Sequence, residues 1–300
     1  MVHPFPALVL VAGLATAAAP PQEPPTGIGG FSFGTPAGEV LDGSKLVRMD
    51  VLADRSIVRP GDETLLGVRF RITPKWHIYW RNPGDSGTAP SIRVSGLEGL
   101  ETKPIRWPRP MVFEGDWDTT YGYEEEVVLL VPVRIPASAP DGAVDLEVEA
   151  EWLVCKEACL LGDGRGVVSI EVDREAKPRA EARGNPAIAT SSSRLPEPLA
   201  GLEGGSARLE GGSTPDRLVI EGPAGPATAI RFIPDLTPGV TAGEGHPVDA
   251  VISDGKFRIE VPLSIEPDNS LGQPLEAAGL VLFGPRATDP ARSVRLPIAS

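Results

Sequence analysis

Cysteine and histidine are scarce in this chain, with two and three residues among 300. Positive charge is also in deficit, because 28 Lys and Arg against 41 Asp and Glu leave a formal net charge of −13. Phosphate binding needs a basic surface, so neither nucleic acid nor an anionic membrane is expected as a partner. Glycine and proline are plentiful, with 34 and 33 residues, which favours short strands joined by turns over long helices.

The chain also lacks an apolar run of the roughly 20 residues that a membrane-spanning helix needs, so no membrane span is expected. A shorter apolar run at 7–14 precedes small residues with A-x-A spacing. This pattern is typical of a secretory signal peptide, although His3 stands where Lys or Arg is usual. We therefore expect a signal peptide over 1–19, a flexible segment over 20–44 and an exported protein.

Alternation of apolar and polar residues predicts strands over much of the remaining chain. In residues 144–152 the apolar side chains point one way and four acidic side chains point the other, as in a half-buried antiparallel strand. Further strands are expected over 45–52, 68–72, 126–135 and 166–173.

The second half of the chain repeats this pattern after a break. Residues 176–200 are rich in charge, small polar side chains and proline, and predict a linker with room for one short helix. Further on, Asp254-Gly255 followed by alternation predicts a β-hairpin. We therefore expect an all-β protein with two immunoglobulin-like β-sandwich domains in series, over 45–175 and 201–300. All five Trp and three Tyr lie between 76 and 152, so the second domain is interpreted as a spacer or docking module.

One tetrapeptide, Gly84-Asp85-Ser86-Gly87, also surrounds the nucleophile of chymotrypsin-like serine proteases. A serine nucleophile needs a histidine base, and the mature chain offers only His77 and His246. His77 lies too close in sequence to Ser86 for the protease arrangement. Because Asn, Pro, Gly and Asp are turn residues, we interpret this stretch as a loop between strands.

The two cysteines, Cys155 and Cys159, directly follow the acidic-faced strand. An oxidising compartment lets them pair, and a bridge across so short a loop contributes little stability. From the spacing alone, a structural disulfide and a redox-active one remain equally open. A third option is a metal site in which two thiolates and His77 hold Cu(I) or Zn.

Three motifs follow one another along the chain: WHIYWRNPGDSG at 76–87, YGY at 121–123 and WLVCKEAC at 152–159. Over about residues 45–175 they resemble the periplasmic N-terminal domain of the thiol:disulfide interchange protein DsbD family, particularly its ScsB-like (suppressor of copper sensitivity) branch. The resemblance implies a periplasmic, immunoglobulin-like sandwich that carries Cys155 and Cys159 as a catalytic redox pair. Cys159 would be the sulfur that forms mixed disulfides with partners.

The same resemblance implies a loop that caps the disulfide and an aromatic residue beside it. The implied residues are Thr119, Thr120, Tyr121 and Gly122 for the cap, and Trp80 for the aromatic. No cofactor and no metal ligand are implied. The family pattern is not matched everywhere, since the founding members space their cysteines more widely and usually have proline where this chain has Leu160.

The implied function is thiol–disulfide exchange, in which electrons pass from a membrane reductant to exported disulfide-containing proteins. The implied partners are transmembrane and thioredoxin-like reductase components and periplasmic thioredoxin-fold acceptors. The chain lacks the membrane and thioredoxin-like parts, so it is expected to work with separate partners or to be a fragment of a larger protein. The alternatives are a non-enzymatic exported binding or scaffold protein with a structural disulfide, and a copper-binding protein linked to copper tolerance.

Overall fold

The computed structural model describes residues 42–176, 184–212, 214–266 and 274–298. The expected signal peptide lies outside these ranges. The described chain is mostly β-structure, which confirms the all-β prediction. No helix in the described ranges is long and apolar enough to cross a membrane.

The first sandwich consists of a four-stranded and a seven-stranded sheet that pack face to face. The small sheet has the order β1-β3-β9-β6, and the large sheet has the order β2-β11-β10-β4-β8-β7, with β5 added alongside β10. The elements are α1 (Gly43–Leu46), β1 (Val47–Ala53), β2 (Ile57–Val58), β3 (Glu63–Ile72), β4 (His77–Gly84), β5 (Ser91–Ser95), β6 (Glu101–Thr102), β7 (Met111–Glu114), β8 (Thr119–Tyr123), β9 (Glu126–Arg134), β10 (Gly142–Cys155) and β11 (Cys159–Val172).

The alternation in residues 144–152 is confirmed in β10. Leu146, Val148 and Trp152 are buried in the core, while Glu147 and Glu151 face solvent. Strand β10 pairs with β11 along its whole length.

Strand β11 begins earlier than the strand expected over 166–173. The additional residues include Gly162 and Gly164, which the sequence pattern alone favours as loop. In the structure a Cβ at Gly162 would overlap the indole nitrogen of Trp152. The glycines therefore leave room for the Trp152 ring, and the strand continues through them to Cys159.

The second sandwich consists of two five-stranded sheets. One has the order β12-β21-β20-β15-β17, and the other has the order β13-β14-β19-β16 with β18 paired to β19. Residues 254–255 form the tight turn between β18 and β19, which confirms the expected hairpin. The strands are β12 (Glu197–Pro198), β13 (Ser206–Gly211), β14 (Pro215–Pro223), β15 (Ile230–Pro234), β16 (Val240–Ala242), β17 (Val248–Asp249), β18 (Val251–Ser253), β19 (Lys256–Ile265), β20 (Glu276–Phe283) and β21 (Ala291–Pro297).

The segment between the sandwiches contains a short helix, α2 (Pro186–Ser192). Asn185 caps its first turn, and Ile188 packs in a small apolar cluster with Val128 and Leu130 of β9. The hydroxyl of Ser191 donates to the carbonyl oxygen of Val128 at 2.6 Å. Helix α2 therefore packs against the first sandwich, whereas the end of the expected linker, β12 (Glu197–Pro198), pairs with β21 of the second sandwich.

The two sandwiches share an apolar interface. Strand β20 is buried on both faces: Val281 and its alternate neighbours fill the second core, whereas Leu280 and Leu282 join the core cluster of the first sandwich. Ile233 of β15 belongs to that first cluster as well. A strand buried on both faces reads as a nearly continuous apolar run, as AAGLVLF does here.

Buried polar contacts surround this apolar interface. Arg109 is 3% exposed and donates to the carbonyl oxygens of Gly284 and Arg286. Burial lowers the pKa of Arg109 to about 10, and Asp289 opposes this shift. These bonds pair two guanidinium nitrogens of a buried cation with carbonyl groups of the second sandwich and so connect the two sandwiches.

Strand β8 approaches β4 so closely that only glycine fits at position 122. A Cβ there would overlap the carbonyl oxygen of Ile78. We expect Gly122→Ala to lower the free energy of unfolding by about 1–3 kcal/mol, because backbone must move to relieve the overlap. Gly201→Ala is the matched control, because a Cβ at Gly201 meets nothing within 4 Å. Urea unfolding followed by tryptophan fluorescence measures both; equal stabilities would show that β8 can shift without cost.

Candidate functional site

The ladder between β10 and β11 brings the two cysteines together. Its last pair is Cys155 opposite Cys159, and residues 156–158 form the turn that closes the hairpin. The Cα atoms of the two cysteines are 4.2 Å apart, and their sulfur atoms form a disulfide. The bridge therefore joins neighbours in one sheet at the end of a hairpin.

The two sulfur-bearing residues differ in exposure. Cys155 is 3% exposed, whereas Cys159 is exposed to solvent. A reagent or partner that approaches this hairpin end therefore meets Cys159 first. Thiol–disulfide exchange depends on access to the attacked sulfur, so the geometry favours reaction at Cys159.

Strand β4 contributes the side chains beside the bridge. Its residue His77 is the register partner of Cys155, and paired residues point to the same face of a sheet. Two residues along, Tyr79 lies on this face too, and its hydroxyl oxygen is 3.6 Å from Sγ of Cys159. Tyr79 is 1% exposed, so a buried tyrosine contacts the sulfur of the exposed residue Cys159.

The groups around the bridge are mainly neutral. Burial lowers the pKa of His77, and the negative charge of Asp118 opposes this shift. The His77 ring stacks on Phe113, with ring centroids 4.6 Å apart, and its Nε2 is buried without a hydrogen-bond partner. Burial also raises the pKa of Tyr79, which therefore keeps its proton at neutral pH. In the turn itself, Lys156 pairs with Glu157 at 3.4 Å.

The tetrapeptide at 84–87 covers the Tyr79 ring. A Cβ at Gly87, whose φ is +93°, would overlap that ring. Ser86 donates to Asp118 at 3.1 Å, and the imidazole of His246 lies 3.7 Å from Asp85. Ser86 therefore bonds a carboxylate and not the histidine base that a protease nucleophile needs. Residues 85–87 lie outside the strands, as expected of a loop, but 82–84, which turn chemistry also placed in the loop, form the end of β4.

The residues expected to cap the disulfide lie in and beside β8. Trp80 and Tyr121 are fully buried, and their rings meet edge to face with centroids 6.3 Å apart. Thr119, Thr120 and Gly122 belong to the same strand, β8. The hydroxyl that contacts the Cys159 sulfur belongs to Tyr79 instead. A shielding role for the five residues stays a prediction.

Sequence reasoning did not single out Tyr79 as a site residue. A signal was present, because His77 and Tyr79 alternate along a strand inside the same motif as the loop. Their position against the cysteines depends on the pairing of β4 with β10, which is limited to two residue pairs. So short a pairing leaves no sequence signature.

Among the described residues, no group of three or more His, Cys, Asp or Glu side chains is arranged to hold a metal ion. The imidazole of His77 lies beside the bridge, as the metal alternative requires, but its neighbour Phe113 covers the ring face. Metal binding by the reduced pair stays a prediction.

Together, the fold and the site define a pair of immunoglobulin-like sandwiches with one disulfide at a sheet end, in which one cysteine is exposed and the other buried. Residues 45–168 match the family model described as "Thiol:disulfide interchange protein DsbD, N-terminal". This part of the chain is a DsbD N-terminal-like domain.

Among solved structures, the N-terminal periplasmic domain of ScsB from Proteus mirabilis is 16% identical, with a TM-score of 0.55. The match covers 87% of this chain and 97% of that one, so the shared fold includes the second sandwich. The sporulation control protein Spo0M from Bacillus subtilis is 12% identical, and the match covers 84% of this chain and 90% of that one. Its TM-score of 0.22 is too low to indicate a shared fold. A search of curated proteins found no match.

The difference in exposure predicts unequal reactivity of the two thiols. In the reduced protein we expect iodoacetamide to modify Cys159 at least roughly tenfold faster than Cys155, because a buried thiol is inert. Brief labelling followed by peptide mass spectrometry measures the ratio, and the same labelling in urea is the control in which it should vanish. Equal labelling in the folded protein would contradict the site geometry.

Proposed function

We propose that this chain is a periplasmic thiol–disulfide exchange module that passes electrons from a membrane reductant to exported disulfide-containing proteins. The observation that carries the proposal is the asymmetry of the bridge, with Cys159 exposed and Cys155 buried. Such a bridge offers one sulfur to a partner and keeps the other for the resolving step. The match of residues 45–168 to the DsbD N-terminal family supports the same chemistry.

The position of the bridge in the sheet argues against a structural purpose. In antibody domains the stabilising disulfide joins the two sheets through the core. Here it joins two residues that the β10–β11 ladder already holds opposite each other, with three residues between them. A loop this short leaves little chain entropy to remove, so its contribution to stability is small compared with a bridge across a long loop.

Reduction of the module proceeds in two steps. A thiolate of the upstream reductant attacks Sγ of Cys159, the Cys155–Cys159 bond breaks, and Cys155 leaves as a thiolate that takes up a proton. The mixed disulfide joins Cys159 to the first sulfur of the reductant. The second thiol of the reductant then attacks that first sulfur and releases Cys159. The reductant leaves as a disulfide, and the module has gained two electrons and two protons.

Tyr79 is placed to assist release of Cys159. In the second step negative charge develops on Sγ of Cys159, and the Tyr79 hydroxyl, 3.6 Å away, can donate a hydrogen bond to it. A hydrogen bond to the charged form favours that form. The raised pKa of Tyr79 keeps this donor protonated throughout.

Transfer to an acceptor repeats these steps in the opposite sense. The Cys159 thiolate attacks the acceptor disulfide, forms a mixed disulfide and expels one acceptor thiolate. Cys155 then attacks Cys159, restores the intramolecular bridge and releases the acceptor as a dithiol. Periplasmic thioredoxin-fold proteins are the proposed acceptors, and transmembrane and thioredoxin-like components are the proposed donors.

The reduction potential of the bridge separates exchange from a structural role. Equilibration with glutathione or dithiothreitol buffers, followed by thiol trapping, should give a value of roughly −270 to −120 mV, the range of exchange proteins. A value below about −300 mV would mark a bridge too stable to trade electrons and would favour the exported scaffold protein.

The assigned order of attack predicts which variant traps a partner. Reduced Cys155→Ser, mixed with oxidised thioredoxin as the probe, should accumulate a mixed disulfide through Cys159, because no resolving thiol remains. The matched Cys159→Ser variant should form little of it, since its remaining thiol is 3% exposed in the native protein. Non-reducing electrophoresis measures both. If only Cys159→Ser formed the mixed disulfide, Cys155 would be the attacking cysteine and Cys159 the resolving one.

A further inference from the structure

Strand β4 connects the disulfide to the second sandwich within a few residues. Tyr79 contacts the Cys159 sulfur, and two residues later Arg81 reaches Asp235. The guanidinium of Arg81 donates to both carboxylate oxygens, at 2.9 and 2.7 Å, in the bidentate geometry that fixes both partners. The Asp235 side chain is 8% exposed and the Arg81 side chain 36%, so the carboxylate of this ion pair is shielded from solvent while the guanidinium is partly exposed.

Asn82 adds a second, fully buried connection. Its side-chain nitrogen donates to the carbonyl oxygen of Pro234 at 2.8 Å. Its side-chain oxygen accepts from the backbone nitrogen of Gly84 at 3.0 Å, at the start of the loop that covers Tyr79. One asparagine thereby links the second sandwich to the beginning of that loop.

The loop itself is held from both sides. Asp85 exchanges two hydrogen bonds with the backbone of Thr119, at 2.9 and 2.7 Å. From the second sandwich, His246 approaches the same carboxylate at 3.7 Å. Gly87, at the end of the loop, lies against the Tyr79 ring. Movement of this loop would therefore release the ring that positions the hydroxyl.

We propose that the second sandwich is a positioning element for the redox site. Asp235 and the Pro234 carbonyl group hold Arg81 and Asn82, and through them keep the Tyr79 hydroxyl on Cys159. Asp235 and Arg81 are thus positioning residues that act on the sulfur through Tyr79. The inference uses the Tyr79–Cys159 contact on which the proposed function draws, but it requires no partner protein.

The consequence is a change in the acidity of the Cys159 thiol. Its titratable neighbours are Tyr79 and His77 on β4, Asp118 beside β8, and the pair Lys156 and Glu157 in the turn. Of these, Tyr79 lies within hydrogen-bond distance of Sγ. When the hydroxyl moves away the thiolate loses a donor, so the pKa of the Cys159 thiol should rise.

The test uses the full chain in a Cys155→Ser background, so that Cys159 is the single thiol. The rate of alkylation by iodoacetamide as a function of pH gives its pKa. We expect Tyr79→Phe to raise the pKa, and Asp235→Asn to raise it by roughly half a unit or more. The matched control is Glu260→Gln. The carboxylate of Glu260 pairs with Arg217 and Arg258, which both belong to the second sandwich, on its surface. This control should leave the pKa unchanged.

A double-mutant cycle decides whether the effect passes through Tyr79. In the Tyr79→Phe background, Asp235→Asn should produce no further rise, because the donor is already gone. An unchanged pKa in Asp235→Asn, or an equal rise with and without the Tyr79 hydroxyl, would overturn the proposal. Should Asp235→Asn fail to fold, Arg81→Lys keeps the charge, loses the bidentate geometry and is judged by the same criteria. The thiol pKa is measured without a redox partner, so absence of exchange in the cell would leave this result standing.

Discussion

The antiparallel ladder between β10 and β11 is the constraint from which the site follows. Its strands are 14 residues each and run in unbroken register from Gly142 and Val172 to the cysteines. A shift by one residue would turn every side chain to the other face, so the burial of Leu146, Val148 and Trp152 fixes the register. The same register places Cys155 opposite Cys159 on the outer face. The core of the first sandwich therefore determines where the bridge forms.

Strand β4 gives the bridge its asymmetry and connects it to the rest of the molecule. One face of β4 contributes Ile78 and Trp80 to the core, while the other presents His77 and Tyr79 to the cysteines. Farther along, the strand binds the second sandwich. Strand β20 is buried on both faces and contributes side chains to both cores, so the two sandwiches are packed against each other here. A sandwich fixed in this way can act on the site, which a flexibly tethered spacer could not.

The sequence predicted the parts of this arrangement that depend on local patterns. Alternation identified β10, the Asp254-Gly255 pair identified a hairpin, and turn chemistry identified the loop around Ser86. Exposure of Cys159 and burial of Cys155 could not be predicted, because the covering side chains come from a strand some 80 residues earlier in the chain. The apolar run of β20 does indicate a strand that is buried on both faces. Only the structure shows that the first sandwich covers one of those faces.

The electrostatics of the site indicate what kind of redox chemistry it suits. Very acidic thiols lie beside cations or helix N-termini. Here β-strands and a tight turn surround the bridge, and the one cation in that turn, Lys156, is paired with Glu157. Burial keeps His77 neutral near pH 7, which removes a second source of positive charge. Stabilisation of a Cys159 thiolate thus rests on a neutral hydroxyl, and a weakly stabilised thiolate is a strong nucleophile once formed. In the proposed exchange, the docking of a partner, and not an unusually acidic thiol, would therefore set the rate.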